Sequence, residues 1–301
     1  MNIPDNLPIG LLFSGQGALA VGMGKDLALH HQPARQRFDE ANKILGYDLS
    51  HIYFEGPEEA LTETKICQVA LYVHGYILFE YLKSRGLTNY TLAMGLSLGE
   101  LTALATAGVF DFETGLKVVA KRAELMQAAC EATEGAMASI LGGELADVQA
   151  LCDTFDIDIS NINSVGQIVI SGEKNRLAQA IEAGKDKGFK RIIPLKVAGA
   201  YHSRLMRTAQ EGFAGFLRDI PFERPQFTVI TNVDGSVVTD PNAIKRYLCE
   251  QIVSTVQWVK CMETAVAQGI HHFYECGPSK VIAGLAKRIS PDIVVEQVEL
   301  V

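Results

Sequence analysis

A chain of 301 residues that is 48% hydrophobic and 21% charged can bury one large core and leave room for a smaller second lobe. Its net charge of -8 argues against nucleic-acid binding, which needs a concentrated excess of Lys and Arg. The six cysteines stand singly, without a C-x-x-C pair or a histidine at ligand spacing, so neither a disulfide framework nor a metal site is expected.

Residues 1–8 carry two Asn, one Asp and two Pro where a signal peptide would carry basic and then apolar residues. No apolar run is long and unbroken enough to span a bilayer, so the expected location is cytoplasmic, with no membrane segment. There is no internal repeat and no low-complexity linker. Short apolar runs punctuated by Gly and Pro alternate with helix-length amphipathic stretches, the pattern of an α/β protein.

Residues 9–13 predict a buried strand ending in Ser14-Gly15-Gln16-Gly17. Helices are expected over 26–32, over 33–45 with Pro33 at its first position, and over 68–85. A strand over 91–95 leads into a helix over 98–107, and a long helix over 111–130 has Asp111 as its N-cap. Between about 135 and 198 the texture changes to strand 136–142, helix 145–152, strands 157–161 and 167–171, helix 174–187 and strand 191–197. That β-α-β-β-α-β order is the split pattern of a ferredoxin-like lobe. Beyond His202 the α/β pattern resumes, with a helix from about 205 and strands near 227–231 and 272–275. The simplest architecture is a large domain interrupted by a small inserted one.

Gly95-Leu96-Ser97-Leu98-Gly99 matches G-x-S-x-G and lies between a predicted strand and a predicted helix, the context in which that motif presents a nucleophile. The glycines allow a sharp turn, and the following helix offers N–H groups and a positive dipole end to a developing oxyanion. A serine nucleophile needs a base. His202 follows an apolar run and precedes a helix; His272, entering a strand, is the alternative, while His30 and His31 lie at a polar helix end. Arg122, on the same helix as Lys117, Lys121 and Glu124, reads by position alone as a solvated charge.

Taken together, several motifs in this order resemble those of malonyl-CoA:acyl-carrier-protein transacylases over about residues 11–289. They are Phe13-Ser14-Gly15-Gln16-Gly17 with Met23, Gly95 to Glu100, Arg122 with Met126-Gln127, Asn161 to Gly172, Tyr201-His202-Ser203, Val256-Gln257-Trp258 and Gly277-Pro278-Ser279-Lys280. The resemblance implies an α/β-hydrolase-like large domain (1–130 and 199–301) with an inserted ferredoxin-like small domain (131–198).

It also implies roles. Ser97 would be the nucleophile and His202 the general base and acid, oriented by a backbone carbonyl at or near Gln257 in place of an Asp. The N–H groups of Gln16 and Leu98 would form the oxyanion hole, and Arg122 would hold the free carboxylate of a malonyl group as a bidentate pair. Met126, Tyr201 and Asn163 fall to the substrate pocket. Leu96 stands where the fatty-acid enzymes usually have His, and Leu96 together with Gly199-Ala200-Tyr201-His202-Ser203 resembles the free-standing acyltransferases that serve polyketide assembly lines in trans; Tyr201 stands where malonyl-selective relatives of that kind often have Phe.

The implied reaction is ping-pong transfer of malonyl from malonyl-CoA to the phosphopantetheine thiol of a holo acyl carrier protein, with the coenzyme A thioester as substrate and no bound cofactor. A monomer is expected. Lys190, Arg191, Lys196, Arg204, Arg207, Lys280, Lys287 and Arg288 form the candidate docking patch for the acidic carrier. The alternatives are an acyl hydrolase that releases groups from carrier proteins, or a transferase for a different acyl unit.

Overall fold

The computed structural model describes residues 7–17 and 19–298. The absence of a signal-like pattern in residues 1–8 therefore concerns a stretch that lies, up to residue 6, outside the described residues, as do the outermost ends of the expected 1–130 and 199–301 segments.

In chain order the strands are β1 (Ile9–Phe13), β2 (Tyr90–Gly95), β3 (Gly135–Leu141), β4 (Asp158–Ser164), β5 (Gln167–Glu173), β6 (Arg191–Pro194), β7 (Thr228–Val229), β8 (His272–Cys276) and β9 (Val294–Gln297). Five of them make a parallel sheet in the order β7-β2-β1-β8-β9. β1 is central and buried along its whole length, which is why its sequence is a continuous apolar run instead of an alternating one. Helix Thr64–Ser84 packs against helices Leu98–Thr106 and Phe112–Glu131 in the main core.

The register of this sheet creates the site. Phe13 pairs with Gly95 on one side and with Cys276 on the other, so the chain leaves β1, β2 and β8 at one level of the sheet edge. Loops that leave the carboxyl ends of adjacent parallel strands are where α/β proteins bind ligands. Here they carry Gln16, Ser97 and the Gly277-Pro278-Ser279 turn.

The other sheet is antiparallel, in the order β4-β5-β3-β6, and is drawn wholly from residues 135–194. Helices Leu145–Phe155 and Lys174–Gly184 cover it with their own cluster, among them Val148, Leu151, Leu177 and Ala180. This is the ferredoxin-like lobe. The last strand stops earlier than its apolar pattern predicts: after Leu195 N donates to Met137 O at 2.9 Å the chain turns tightly, Val197 N donating back to Leu195 O at 3.1 Å, and Leu195, Lys196 and Val197 line the cavity. Where the chain enters and leaves the lobe the two backbones touch, for a Cβ on Gly135 would lie 2.6 Å from Ala200 N.

The lobe is pinned to the segment that follows helix Pro241–Gln251. Val256 N donates to Ser160 O at 2.9 Å, Ile162 N to Val256 O at 2.9 Å, and the Thr255 hydroxyl to Ile159 O at 2.6 Å. Arg204 adds ion pairs to Asp158 at 2.7 Å and to Asp156.

The two motif glycines are required by close approach as well as by turn geometry. A Cβ on Gly99 would fall on the Phe13 carbonyl oxygen, and one on Gly95 on the Gly99 backbone. Gly99→Ala should therefore cost about 1–3 kcal/mol or more in urea unfolding, because backbone atoms, unlike side chains, have nowhere to move. An unchanged midpoint would mean that the strand and helix are not packed this tightly.

Candidate active site

Ser97 sits between β2 and helix Leu98–Thr106 with φ of 55°, a left-handed conformation unusual for a residue with a side chain. Asn232 holds it there. The Asn232 Oδ1 accepts from Ser97 N at 2.6 Å, while its Nδ2 donates to Gly95 O at 2.9 Å. Since the Ser97 amide is spent on Asn232, the oxyanion donors must come from elsewhere. The Leu98 N–H opens the helix and has no intrahelical acceptor, and among the described residues no acceptor lies within reach of the Leu98 or Gln16 N–H.

Ser97 Oγ lies 2.8 Å from His202 Nε2, and His202 Nδ1 lies 2.8 Å from the carbonyl of Gln251. A carbonyl only accepts, so Nδ1 carries the proton and Nε2 is left to receive the serine proton. His202 is buried, which pushes its pKa down to about 4, with the nearby Arg122 charge adding to the shift. The imidazole is therefore a neutral base. Gln251 is the last residue of its helix, so the carbonyl that holds the ring belongs to the negative end of a helix dipole.

Arg122 has no exposed surface. Its Nη1 donates to Gln68 Oε1 at 2.6 Å, and its Nη2 donates to Gln251 Oε1 at 2.8 Å and to Ser97 Oγ at 3.1 Å. Burial lowers its pKa to about 10, which leaves it charged. Its Nε–H is buried without an acceptor, at a cost of about 1–3 kcal/mol.

A cavity of about 350 Å³ opens onto Ser97 and His202. Gln16, Met126, Tyr201, Asn161 and Asn163 line it, and Gln68 stands between it and Arg122. Tyr201 shares a 2.6 Å hydrogen bond with Thr64 Oγ1, and burial raises its hydroxyl to about 12, so it is neutral. Asn163 Oδ1 is buried without a donor. Cys67 also lines the cavity, but burial pushes its thiol up to about 12, and it cannot compete as a nucleophile. Among the described residues no group of three or more His, Cys, Asp or Glu is placed to hold a metal ion, and no helix is long and apolar enough to cross a membrane.

A serine on a strained strand–helix turn, a neutral histidine and a buried arginine meet at one oxygen, an arrangement able to support acyl transfer, and comparison with known proteins gives the family. The acyl transferase domain model matches residues 11–289. The malonyl CoA-acyl carrier protein transacylase of Staphylococcus aureus (strain MW2) is 37% identical over 288 residues, covering 94% of this chain and 92% of that protein. The chain belongs to this transacylase family. The solved acyl-carrier-protein-S-malonyltransferase of Bartonella henselae superposes with a TM-score of 0.94 at 34% identity, covering 98% of this chain and 96% of that one. A structure described as a type II PKS acyl-carrier protein in complex with its malonyl-transacylase gives 0.94 at 36% identity, covering 96% and 95%.

Within this transacylase fold, Ser97, His202, Gln16, Leu98, Arg122, Met126, Tyr201 and Asn163 all come to one place. Gln257 does not. Its carbonyl is taken by Cys261 N at 3.0 Å at the start of helix Trp258–Ala267, and the carbonyl facing His202 is that of Gln251, six residues earlier. The reason is helical geometry: a helix C-terminus leaves its carbonyls free, whereas a helix start uses its carbonyls within the helix. The rival histidine is also accounted for, since His272 Nε2 lies 2.8 Å from Glu296 Oε1 on the β8–β9 edge.

Gln251, Glu100, Asn232 and Gln68 escaped the sequence reading. Glu100 closes the Gly95–Glu100 motif, and an acidic residue in the first turn of an apolar helix was the available signal. The other three carry no local signal, because what matters is which backbone atoms they meet.

Labelling of Ser97 by a serine-directed fluorophosphonate, followed by intact mass, should stay level as pH falls through the ordinary histidine value of 6.5 and drop only with a midpoint of about 4. Below that midpoint His202 is protonated and cannot accept the serine proton. Arg122→Met removes the charge that helps to depress His202, so its midpoint should move to higher pH. A wild-type midpoint near 6.5 would contradict the buried neutral base.

Proposed function

We propose that the protein is a malonyl-CoA:acyl-carrier-protein transacylase that works by a ping-pong serine-ester mechanism. The observation that carries this reading is the contact between the buried Arg122 guanidinium and Ser97 Oγ. A cation with a spare donor beside the nucleophile suits an acyl group whose far end is a carboxylate, as malonyl is.

His202 Nε2 takes the Ser97 proton as Oγ attacks the thioester carbon of malonyl-CoA. The Gln16 and Leu98 N–H groups hold the oxyanion, each donor being worth about 10²–10³ in rate. The carbon–sulfur bond breaks, the CoA sulfur takes the proton from His202, and malonyl remains as an ester on Ser97. The phosphopantetheine thiol of the carrier then gives its proton to the same nitrogen and attacks the ester, and Ser97 recovers its proton as it leaves. Met126, Tyr201 and Asn163 shape the pocket around the acyl group and the pantetheine arm. No bound cofactor takes part.

The acceptor is a separate holo carrier protein in polyketide or fatty acid synthesis, met in the cytoplasm. The relative described in complex with an acyl-carrier protein supports this partner. Of the candidate docking residues, Arg204 is withdrawn, because its charge is matched by Asp156 and Asp158. The others are exposed.

Intact-mass analysis after mixing with malonyl-CoA should show a malonyl adduct on Ser97 that moves to added holo carrier protein. Release to free malonate at the same rate with or without carrier would make the protein a hydrolase instead. Arg122→Ala should slow malonyl loading by roughly 10²-fold relative to acetyl loading, the worth of a lost charge-assisted pair. Equal losses for both donors would sink the carboxylate role. Added salt should weaken carrier-dependent turnover more than loading from CoA, which stopped-flow measurement of the two half-reactions would show.

A further inference from the structure

Glu100 lies three residues past the nucleophile, is 2% exposed, and takes no part in the cycle above. A carboxylate in an apolar interior is costly unless it is paired or richly hydrogen-bonded, so its place there calls for a reason. Among the described residues no Lys, Arg or His forms an ion pair with it. Its Oε2 instead accepts from Asn232 N at 2.9 Å and from Gln251 Nε2 at 2.7 Å.

Both donors lead back to the reacting groups. Asn232 clamps Ser97 N and Gly95 O through its side chain. Gln251 Nε2 also donates to Ser97 O at 3.0 Å, its main-chain carbonyl orients His202, and its Oε1 receives Arg122. The direction of the Gln251 amide follows from this set. Arg122 can only donate, so it must meet the amide oxygen; Ser97 O and an ionised Glu100 can only accept, so they must meet the amide nitrogen.

The remaining groups that face Glu100 come from three further elements. Arg122 approaches from helix Phe112–Glu131, neutral Cys261 from helix Trp258–Ala267, and Thr231 from the loop after β7. Among the described residues Arg122 is thus the one cation facing it, at one remove through the Gln251 amide.

We propose that Glu100 is the positioning residue of this centre: through Gln251 and Asn232 it aligns His202, Ser97 and Arg122, and it supplies the counter-charge for Arg122 until the carboxylate of a dicarboxylic acyl group takes over. The inference rests on the transacylase reading for its second half. Charge bookkeeping gives it a signature. Once malonyl is bound, two carboxylates share one guanidinium, so an ionised Glu100 opposes malonyl binding and a neutral one does not. Burial pushes the Glu100 pKa up to about 7, against the pull of its hydrogen bonds and of Arg122, which puts the change within easy reach.

The test is loading of wild type, Glu100→Gln and Glu100→Ala with malonyl-CoA and with acetyl-CoA across pH, with thermal unfolding in parallel. Glu100→Ala should lose roughly 10²-fold in rate with both donors, the cost of a misaligned site. Glu100→Gln keeps an acceptor oxygen and loses the charge. It should recover most of the acetyl rate and bind malonyl-CoA several-fold more tightly, with no such gain for acetyl-CoA.

In wild type the KM for malonyl-CoA should rise as pH passes upward through about 7, and that rise should vanish in Glu100→Gln. If the variants change only the unfolding temperature, or if Glu100→Gln alters neither the malonyl-to-acetyl ratio nor the pH dependence, Glu100 is a structural residue and the inference fails. Should Glu100→Ala not fold, the ratio and pH dependence of Glu100→Gln decide alone. A wild type that takes no malonyl would instead overturn the functional reading, which separates the two failures.

Discussion

The centre is organised around a guanidinium with no exposed surface set beside a histidine that must stay neutral. A buried cation needs acceptors, and Arg122 finds them for its two Nη groups in the amide oxygens of Gln68 and Gln251 and in Ser97 Oγ, while its Nε–H is left without one. Burial holds the His202 pKa down and the same charge adds to that shift. Neutral amides were the acceptors that could satisfy it without cancelling it, since a carboxylate in direct contact would have left no positive field for the substrate.

Two helix ends face the Ser97–His202 pair, and one of them stands where other serine enzymes place a carboxylate. The N-terminus of helix Leu98–Thr106 brings the Leu98 N–H beside Ser97, and the C-terminus of helix Pro241–Gln251 points the Gln251 carbonyl at His202. A carbonyl stabilises imidazolium less than an aspartate would. It also leaves the histidine easier to keep unprotonated in a buried site, which agrees with the base role proposed for it.

Much of this was legible in the sequence. β1 spans the residues its apolar run predicts, the G-x-S-x-G turn lies between strand and helix, Asp111 caps its helix through Thr114 N, and the β-α-β-β-α-β order of the lobe is present. Less visible were the short helices Leu49–Glu55 and Glu58–Thr62, whose few residues carry too little periodicity to declare themselves. Helices 26–32 and 33–45 are divided one residue earlier than predicted, because His31 caps the second through its ring nitrogen. Arg122 looked solvated beside Lys121 and Glu124, yet it shares a helical phase with Gly115, Val118, Met126 and Ala129, and that phase is the buried one. Gln251 was beyond reach, since its importance lies in a carbonyl that every residue possesses.

The stretch from 251 to 257 joins two kinds of geometry. At its start the Gln251 carbonyl aims the base, and a few residues on Thr255 and Val256 are stitched to Ile159, Ser160 and Ile162 of the lobe. The width of the cleft and the angle of the imidazole are therefore gauged by one short length of backbone, like the two jaws of a caliper sharing a single pivot. Its length is not free to drift: a residue gained or lost there would displace the lobe against His202 even if every side chain in the site were kept, so the pocket walls tolerate change far more readily than this span does.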